Sequence, residues 1–277
     1  MDLIKNLGVI AFELSNICPL KDVHLKCPIR FLNTKNKIMP LDTIFSTLEK
    51  LKKHEPNPII FFHVYNEPSI DCRLLYIVHY IRKHMNIDWR ISIHTNGYSF
   101  DENVLSEFAA EGIDEIVATL RSNEEFIFWT NIKNKIQDNN DKIGIKLITQ
   151  FFDLRLKLYG DDNGNYDNNI ISMKKWKEIH GEEFYCPFIK DWMGIDPDGN
   201  IMLCEYDWKR TKKFGNIITD DVEDIFHKKY KYYESVNSNK EGHIPCNVCS
   251  FCRNKVSYRL KDFKVMSALK SYGNGGN

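Results

Sequence analysis

Eight cysteines occur in 277 residues, and their spacing sorts them by chemistry. Cys246, Cys249 and Cys252 are separated by two residues at each step, the spacing at which thiolates of one knuckle converge on a metal. Upstream, Cys186 and Cys204 bracket Gly194-Ile195-Asp196-Pro197-Asp198-Gly199-Asn200-Ile201-Met202-Leu203, which reads as two strands around a Pro-Asp-Gly-Asn turn. A hairpin plus a knuckle suits tetrahedral zinc as well as an iron–sulfur cluster. Near the N-terminus, Cys18-x5-His24-x2-Cys27 offers three further metal donors in one loop, with Asp22 and the more distant Cys72 as rivals for the middle place. The N-terminal segment MDLIKNLG has neither the apolar stretch nor the cleavage site of a secretory signal. Metal binding in a reducing cytoplasm is therefore the reading of these thiols, ahead of four disulfides.

The elements that must position these residues follow from hydrophobic patterning. Val9–Leu14, Ile59–Val64, Ile91–Thr95, Ile116–Leu120 and Ile145–Thr149 are short runs rich in Ile, Val, Phe and Leu, as expected of strands covered on both faces. Helical patterns lie between them. Leu41–Leu51 starts just after Pro40, Leu74–Met85 has apolar residues at 74, 75, 77, 78 and 81, and Asp101–Ala110 opens with acidic residues suited to a helix N-terminus. Repeated βα order predicts an α/β fold, a parallel sheet or partial (β/α) barrel with its active loops at the C-terminal ends of the strands. The polar stretch Gly160–Asn169 reads as a linker or long loop. Two domains are expected, the barrel over 1–180 and a small cysteine-rich α+β unit over 181–277 that ends in a disordered tail, Gly273–Asn277.

Composition limits the partners. Thirty-eight basic residues balance thirty-eight acidic ones, so no general footprint for nucleic acid or an anionic membrane exists. No run of eighteen apolar residues is present for a membrane span.

Four strand-end motifs carry a family resemblance. The second strand ends in Tyr65-Asn66-Glu67-Pro68, the third in His94-Thr95-Asn96-Gly97 and the fourth in Thr119-Leu120-Arg121-Ser122, and the cysteine loop follows the first. In this order the chain resembles the radical S-adenosylmethionine (SAM) superfamily nearly end to end. There, Asn66-Glu67-Pro68 is similar to the GGEP motif, Thr95-Asn96-Gly97 to the TNG segment, and Thr119 with Arg121 to the segment at SAM's ribose and carboxylate. The resemblance implies that acceptors at Glu67 meet the three donors of the methionyl ammonium and that Arg121 clamps the carboxylate. It also exposes a departure. The superfamily carries C-x3-C-x2-C after its first strand, whereas Asp22 and Leu25 stand where the second and third cysteines would fall, and Lys26 replaces the usual apolar or aromatic residue.

The C-terminal cysteines look like a SPASM or shorter twitch extension, which binds auxiliary iron–sulfur clusters. A full SPASM domain has seven such cysteines, while five stand here, enough for one cluster and one spare. Cys186, Cys204, Cys249 and Cys252 resemble in spacing the set of the twitch-containing aminocyclitol dehydrogenase, leaving Cys246 over.

The resemblance implies two [4Fe-4S] clusters, one holding SAM and one auxiliary, with flavodoxin or ferredoxin as electron donor. It implies a radical hydrogen abstraction followed by electron transfer to the auxiliary cluster, a net two-electron oxidation, with Glu205 beside Cys204 as general base. The first strand begins within about eight residues of the N-terminus, which leaves no space for a leader-peptide domain. The expected substrate is thus a small sugar- or aminocyclitol-like molecule, with a peptide as alternative. A third reading is a degenerate, non-catalytic binding protein.

Overall fold

A computed structural model describes residues 2–22, 27–32, 35–97, 99–120, 122–139, 144–149, 171–172, 191–205, 207–238 and 255–256. Five parallel strands alternate with helices: β1 (Val9–Phe12), α1 (Leu41–Lys52), β2 (Ile59–Phe61), α2 (Leu74–His84), β3 (Arg90–Thr95), α3 (Glu102–Ala110), β4 (Glu115–Leu120), α4 (Asn123–Asn139) and β5 (Gly144–Thr149). Beyond them lie β6 (Ile171–Ser172), β7 (Trp192–Ile195), β8 (Asn200–Met202), β9 (Lys213–Asn216), α5 (Val222–Ser238) and β10 (Lys255–Val256). An open eight-stranded sheet runs β5-β4-β3-β2-β1-β7-β8-β9, and β10 pairs with β6 apart from it.

The expected strands form with ends shifted by one to three residues. Ile10, Phe12, Ile60, Phe62, Ile91, Ile93, Ile116 and Ala118 are all fully buried, which is why the sequence shows apolar runs. From β1 to β5 each crossover steps the same way across the sheet. Right-handed connections then put α1 to α4 on one face and leave the opposite face to Ala11, Glu13, Phe61, His63, Ser92, His94, Glu115 and Val117.

Local chemistry sets the helix ends. Asp101 caps α3 by accepting from Val104 N at 2.9 Å, and Asp221 caps α5 by accepting from Glu223 N and Asp224 N at 2.9 and 3.1 Å. In α1, Ile44, Leu48 and Leu51 share one face and are buried completely.

The sequence around residue 181 suggests a second unit, yet the sheet passes into it without a break. β7 lies parallel to β1, matching Ala11 with Gly194 and Phe12 with Ile195, and β8 turns back antiparallel. The turn between them is the expected Pro197-Asp198-Gly199-Asn200. Asp196 Oδ1 accepts from Asp198 N and Asn200 N at 3.0 and 2.9 Å. On α5 the buried Lys229 donates to the Trp192 carbonyl, fixing this helix to β7. The predicted linker 160–169, the knuckle 246–252 and the tail 273–277 lie outside the described residues.

Candidate functional site at the strand ends

Three of the motifs converge. Glu67, which follows β2, is buried at 4 % exposure, and its carboxylate is surrounded by donors. Oε1 accepts from Ser69 N at 3.0 Å and from the Thr95 hydroxyl, and Oε2 accepts from Asn96 N at 2.8 Å. The Glu67 N–H donates to the Ile17 carbonyl at 3.0 Å, tying the loop after β1 to the end of β2. Asn96 then extends Nδ2 to the Cys18 sulfur at 3.9 Å. Cys18, Glu67, Thr95 and Asn96 therefore form one connected group drawn from three successive strand ends.

This geometry changes the role expected of Glu67. An ionised carboxylate has about four acceptor positions, and the protein occupies three of them. Glu67 builds the Thr95–Asn96 turn and has little left for an external ammonium. Asn66 is likewise committed, donating to the Phe62 carbonyl at 3.0 Å and accepting from Val64 N at 3.2 Å. Pro68 opens the short turn Pro68–Ile70. Gly97 has φ +73°, and a Cβ there would lie 2.5 Å from Trp129 Cζ2, so the turn against α4 has room only for glycine. Thr119, half-buried, lies one residue beyond the Thr95↔Ala118 pair of the β3–β4 register. Arg121 is outside the described residues.

Of the metal-ligand candidates, Cys18, Cys27 and Cys204 are described, whereas His24, Cys186, Cys246, Cys249 and Cys252 lie outside the described residues. Cys27 is buried in a small cluster with Ile29 and Tyr65, against which Cys18 and Trp208 pack. Neither thiol is in a disulfide. The rivals for the third place are not gathered with them. Asp22 and Cys72 are exposed, and among the described residues no three of His, Cys, Asp and Glu are placed to hold a metal. Cys72 sits in the turn just before α2. As donors, two thiols in an apolar nest, one of them receiving an amide N–H, fit part of an iron–sulfur ligand set.

A second group was not foreseen. Glu13, just past β1, is 0 % exposed, and its Oε2 accepts from Arg210. Arg210 also holds Asp196 through Nη1 at 3.2 Å and has a left-handed φ of +55°. A non-glycine residue in that region signals backbone strain held by its surroundings, here by two buried carboxylates. Tyr65 feels the charges of Glu205, Cys204 and Glu13, so the loop after β8 reaches the same strand ends. Burial, reinforced by those charges, holds its phenol well above the ordinary value. Glu205 itself is half-buried. The His63 and His94 rings stack with centroids 4.9 Å apart.

Glu13 and His63 oppose each other in pH. Burial pushes Glu13 from 4.5 up to about 7 against the pull of Arg210. Burial, and then His94, pushes His63 from 6.5 down to about 3. The stability from Glu13 is full below pH 4.5 and lost as pH rises through about 7, because the unfolded chain releases that proton first. The stability from His63 is full above pH 6.5 and lost as pH falls through about 3, because the unfolded chain takes up a proton that the native ring refuses. The two contributions therefore offset each other between about pH 4.5 and 6.5. Glu13→Gln should leave a protein that weakens on acidification, and His63→Phe one that weakens as pH rises, each by at most about 1.4 kcal/mol per pH unit. Urea unfolding at about pH 5 and about pH 6.5 measures this, and parallel behaviour in both variants would refute it.

Residues 186–253 match SPASM, an iron-sulfur cluster-binding domain. A comparison with curated protein sequences gives no match. Among solved structures, BtrN in complex with AdoMet and 2-DOIA aligns with a TM-score of 0.66 at 18% identity, covering 91% of this chain and 94% of BtrN. The structure of anSMEcpe with bound AdoMet aligns with a TM-score of 0.56 at 12% identity, covering 97% of this chain and 94% of that one. At these identities the likeness is one of fold. The chain thus joins an open α/β sheet with the fold seen in BtrN and anSMEcpe to a C-terminal segment, residues 186–253, that matches the SPASM iron-sulfur cluster-binding domain.

Proposed function

We propose that this chain is an enzyme that uses SAM and two [4Fe-4S] clusters to abstract a hydrogen atom from a small organic substrate and oxidise it by two electrons. The observation that carries this reading is the connected group Cys18–Asn96–Glu67–Thr95, which brings a thiol and an ordered turn together at adjoining strand ends. When bound, a reducing cluster with SAM supplies a 5′-deoxyadenosyl radical. Cys18 and Cys27 would hold the barrel cluster with His24 as the third ligand, and Asn96 would donate to a ligating sulfur and so tune its potential. The turn Asn66-Glu67-Pro68, Thr95, Asn96, Gly97, Thr119 and Arg121 would line the SAM site, with Glu67 acting as the group that shapes it. Cys186, Cys204, Cys249 and Cys252 would hold the auxiliary cluster, with Cys246 spare. Glu205 would receive the proton released when the substrate carbon is oxidised.

A small substrate is favoured over a peptide because the chain aligns over nearly the whole length of BtrN, whose structure contains 2-DOIA. We place the barrel over 1–180 and the cysteine-rich unit over 181–277, and the protein in the cytoplasm with flavodoxin or ferredoxin as donor. Among the described residues no helix is long and apolar enough to cross a membrane.

Anaerobic reconstitution, iron and sulfide assay, and incubation with SAM and dithionite test this. About eight irons per chain and formation of 5′-deoxyadenosine are expected. About four irons with no SAM turnover would instead assign a binding protein that keeps only its C-terminal cluster.

A further inference from the structure

Four buried side-chain atoms among the described residues have no hydrogen-bond partner, and three of them belong to residues just past the ends of the paired strands β1 and β2: Glu13 Oε1, His63 Nδ1 and Tyr65 Oη. Buried polar atoms are almost always paired, so such a group calls for a missing partner. Register shows that they belong together. Ala11 pairs with Phe61 and Phe61 with Ser92, so two residues further on Glu13, His63 and His94 occupy one row across β1, β2 and β3 on the face opposite the helices. Tyr65 follows two residues after His63, and its backbone N–H reaches the Glu13 carboxylate. Beneath this row Ala11 pairs with Gly194 on one side and with Phe61 on the other, and the Phe61 ring meets His63 and His94 edge-on. Trp192 lies across Gly194, where a Cβ would come within 1.9 Å of Cη2, and so forms a floor.

The three atoms have a defined chemistry. Glu13 Oε1 is a spare acceptor when the carboxylate is ionised, since Arg210 holds the other oxygen. Tyr65 presents an O–H donor, and His63 offers a ring nitrogen that donates or accepts according to tautomer. A hydroxyl group both donates and accepts, and a polyol or amino alcohol presents several at fixed spacing. A hydrocarbon satisfies none of the three.

We propose that Glu13, His63 and Tyr65 form the subsite that holds the hydroxyl or amino groups of a polyhydroxylated small substrate, with Arg210 as the positioning residue that fixes Glu13. This rests on the reading of the chain as a SAM-dependent enzyme with a small substrate. The half-buried His63 and His94 rings form its rim, and Glu13 and Tyr65 its base.

The test uses the anaerobically reconstituted, SAM-loaded protein and a mixture of cyclitols, monosaccharides and their amino derivatives, read by saturation-transfer NMR and then by calorimetry on the members that bind. Tyr65→Phe and His63→Phe keep the rings and remove only the polar atoms. Each should weaken binding about tenfold, the loss of one hydrogen bond, while iron content and SAM affinity stay at parental values. Binding undiminished in both variants, or no member bound by SAM-loaded parent, would overturn the subsite, because the orphaned atoms would then serve only a trapped water. A parent that binds neither iron in its barrel nor SAM would bring down the reading beneath it instead.

Discussion

Glu67→Ala should abolish measurable SAM binding and also lower the stability of the whole protein, by about 1–3 kcal/mol for each buried donor left without an acceptor. Both losses have one cause. The carboxylate takes hydrogen bonds from Ser69 N, the Thr95 hydroxyl and Asn96 N, and its removal leaves three donors without an acceptor away from water. The Thr95–Asn96 turn would relax, and the Asn96 contact to Cys18 would go with it. Glu67→Gln separates shape from charge, since it keeps the size of the side chain but must turn an NH₂ group toward one donor. It should recover part of the stability and little of the SAM affinity. Calorimetric titration with SAM and urea unfolding of each variant measure the two effects. An alanine variant of parental stability would show that Glu67 does not build the turn.

Cys204→Ala should reduce iron by about half and make the C-terminal part poorly soluble, because ligands drawn from distant sequence gain folding energy from the metal they share. Cys204 is 7 % exposed and closes the β7–β8 hairpin, with Asp207 N donating to its carbonyl at 3.3 Å. A lost ligand there would loosen the loop that carries Glu205 and Arg210. Cys18→Ala should remove the other half of the iron and leave the hairpin intact, so the two variants report on separate centres. Iron assay and Mössbauer spectra decide the matter. Stoichiometric zinc in anaerobically prepared parent, with no iron after reconstitution, would defeat the assignment.

What could be read from the sequence depended on how local its cause was. β1 to β5 were legible because strands buried on both faces need unbroken apolar runs. α4 was not, because Phe126, Ile127 and Phe128 are consecutive and exposed and hide the buried stripe Trp129, Ile132 and Ile136. The turns at Glu67 and Thr95 were legible as motifs, but the use of the Glu67 carboxylate was not, since its partners at 95 and 96 are nearly thirty residues away. The Glu13–Arg210 pair spans 197 residues and left one faint signal, a carboxylate at the end of the apolar run Val9–Leu14. His63 and His94 look like unrelated residues until the register of β2 and β3 places them side by side.

The position of β1 in the sheet bears on how the chain is made. β1 leaves the ribosome well before β7, yet it ends up in the interior of the sheet, between β2 and β7. The segment that covers its second edge, Trp192–Ile195, is synthesised about 180 residues later, on the order of 10–40 s at ordinary elongation rates. Throughout that interval a nearly complete half-barrel carries a bare, apolar strand edge, the kind that pairs with other chains. Slow folding at low temperature, chaperone supply and early provision of iron and sulfide to the emerging C-terminal part should therefore govern the yield of intact protein more than the stability of the finished fold does.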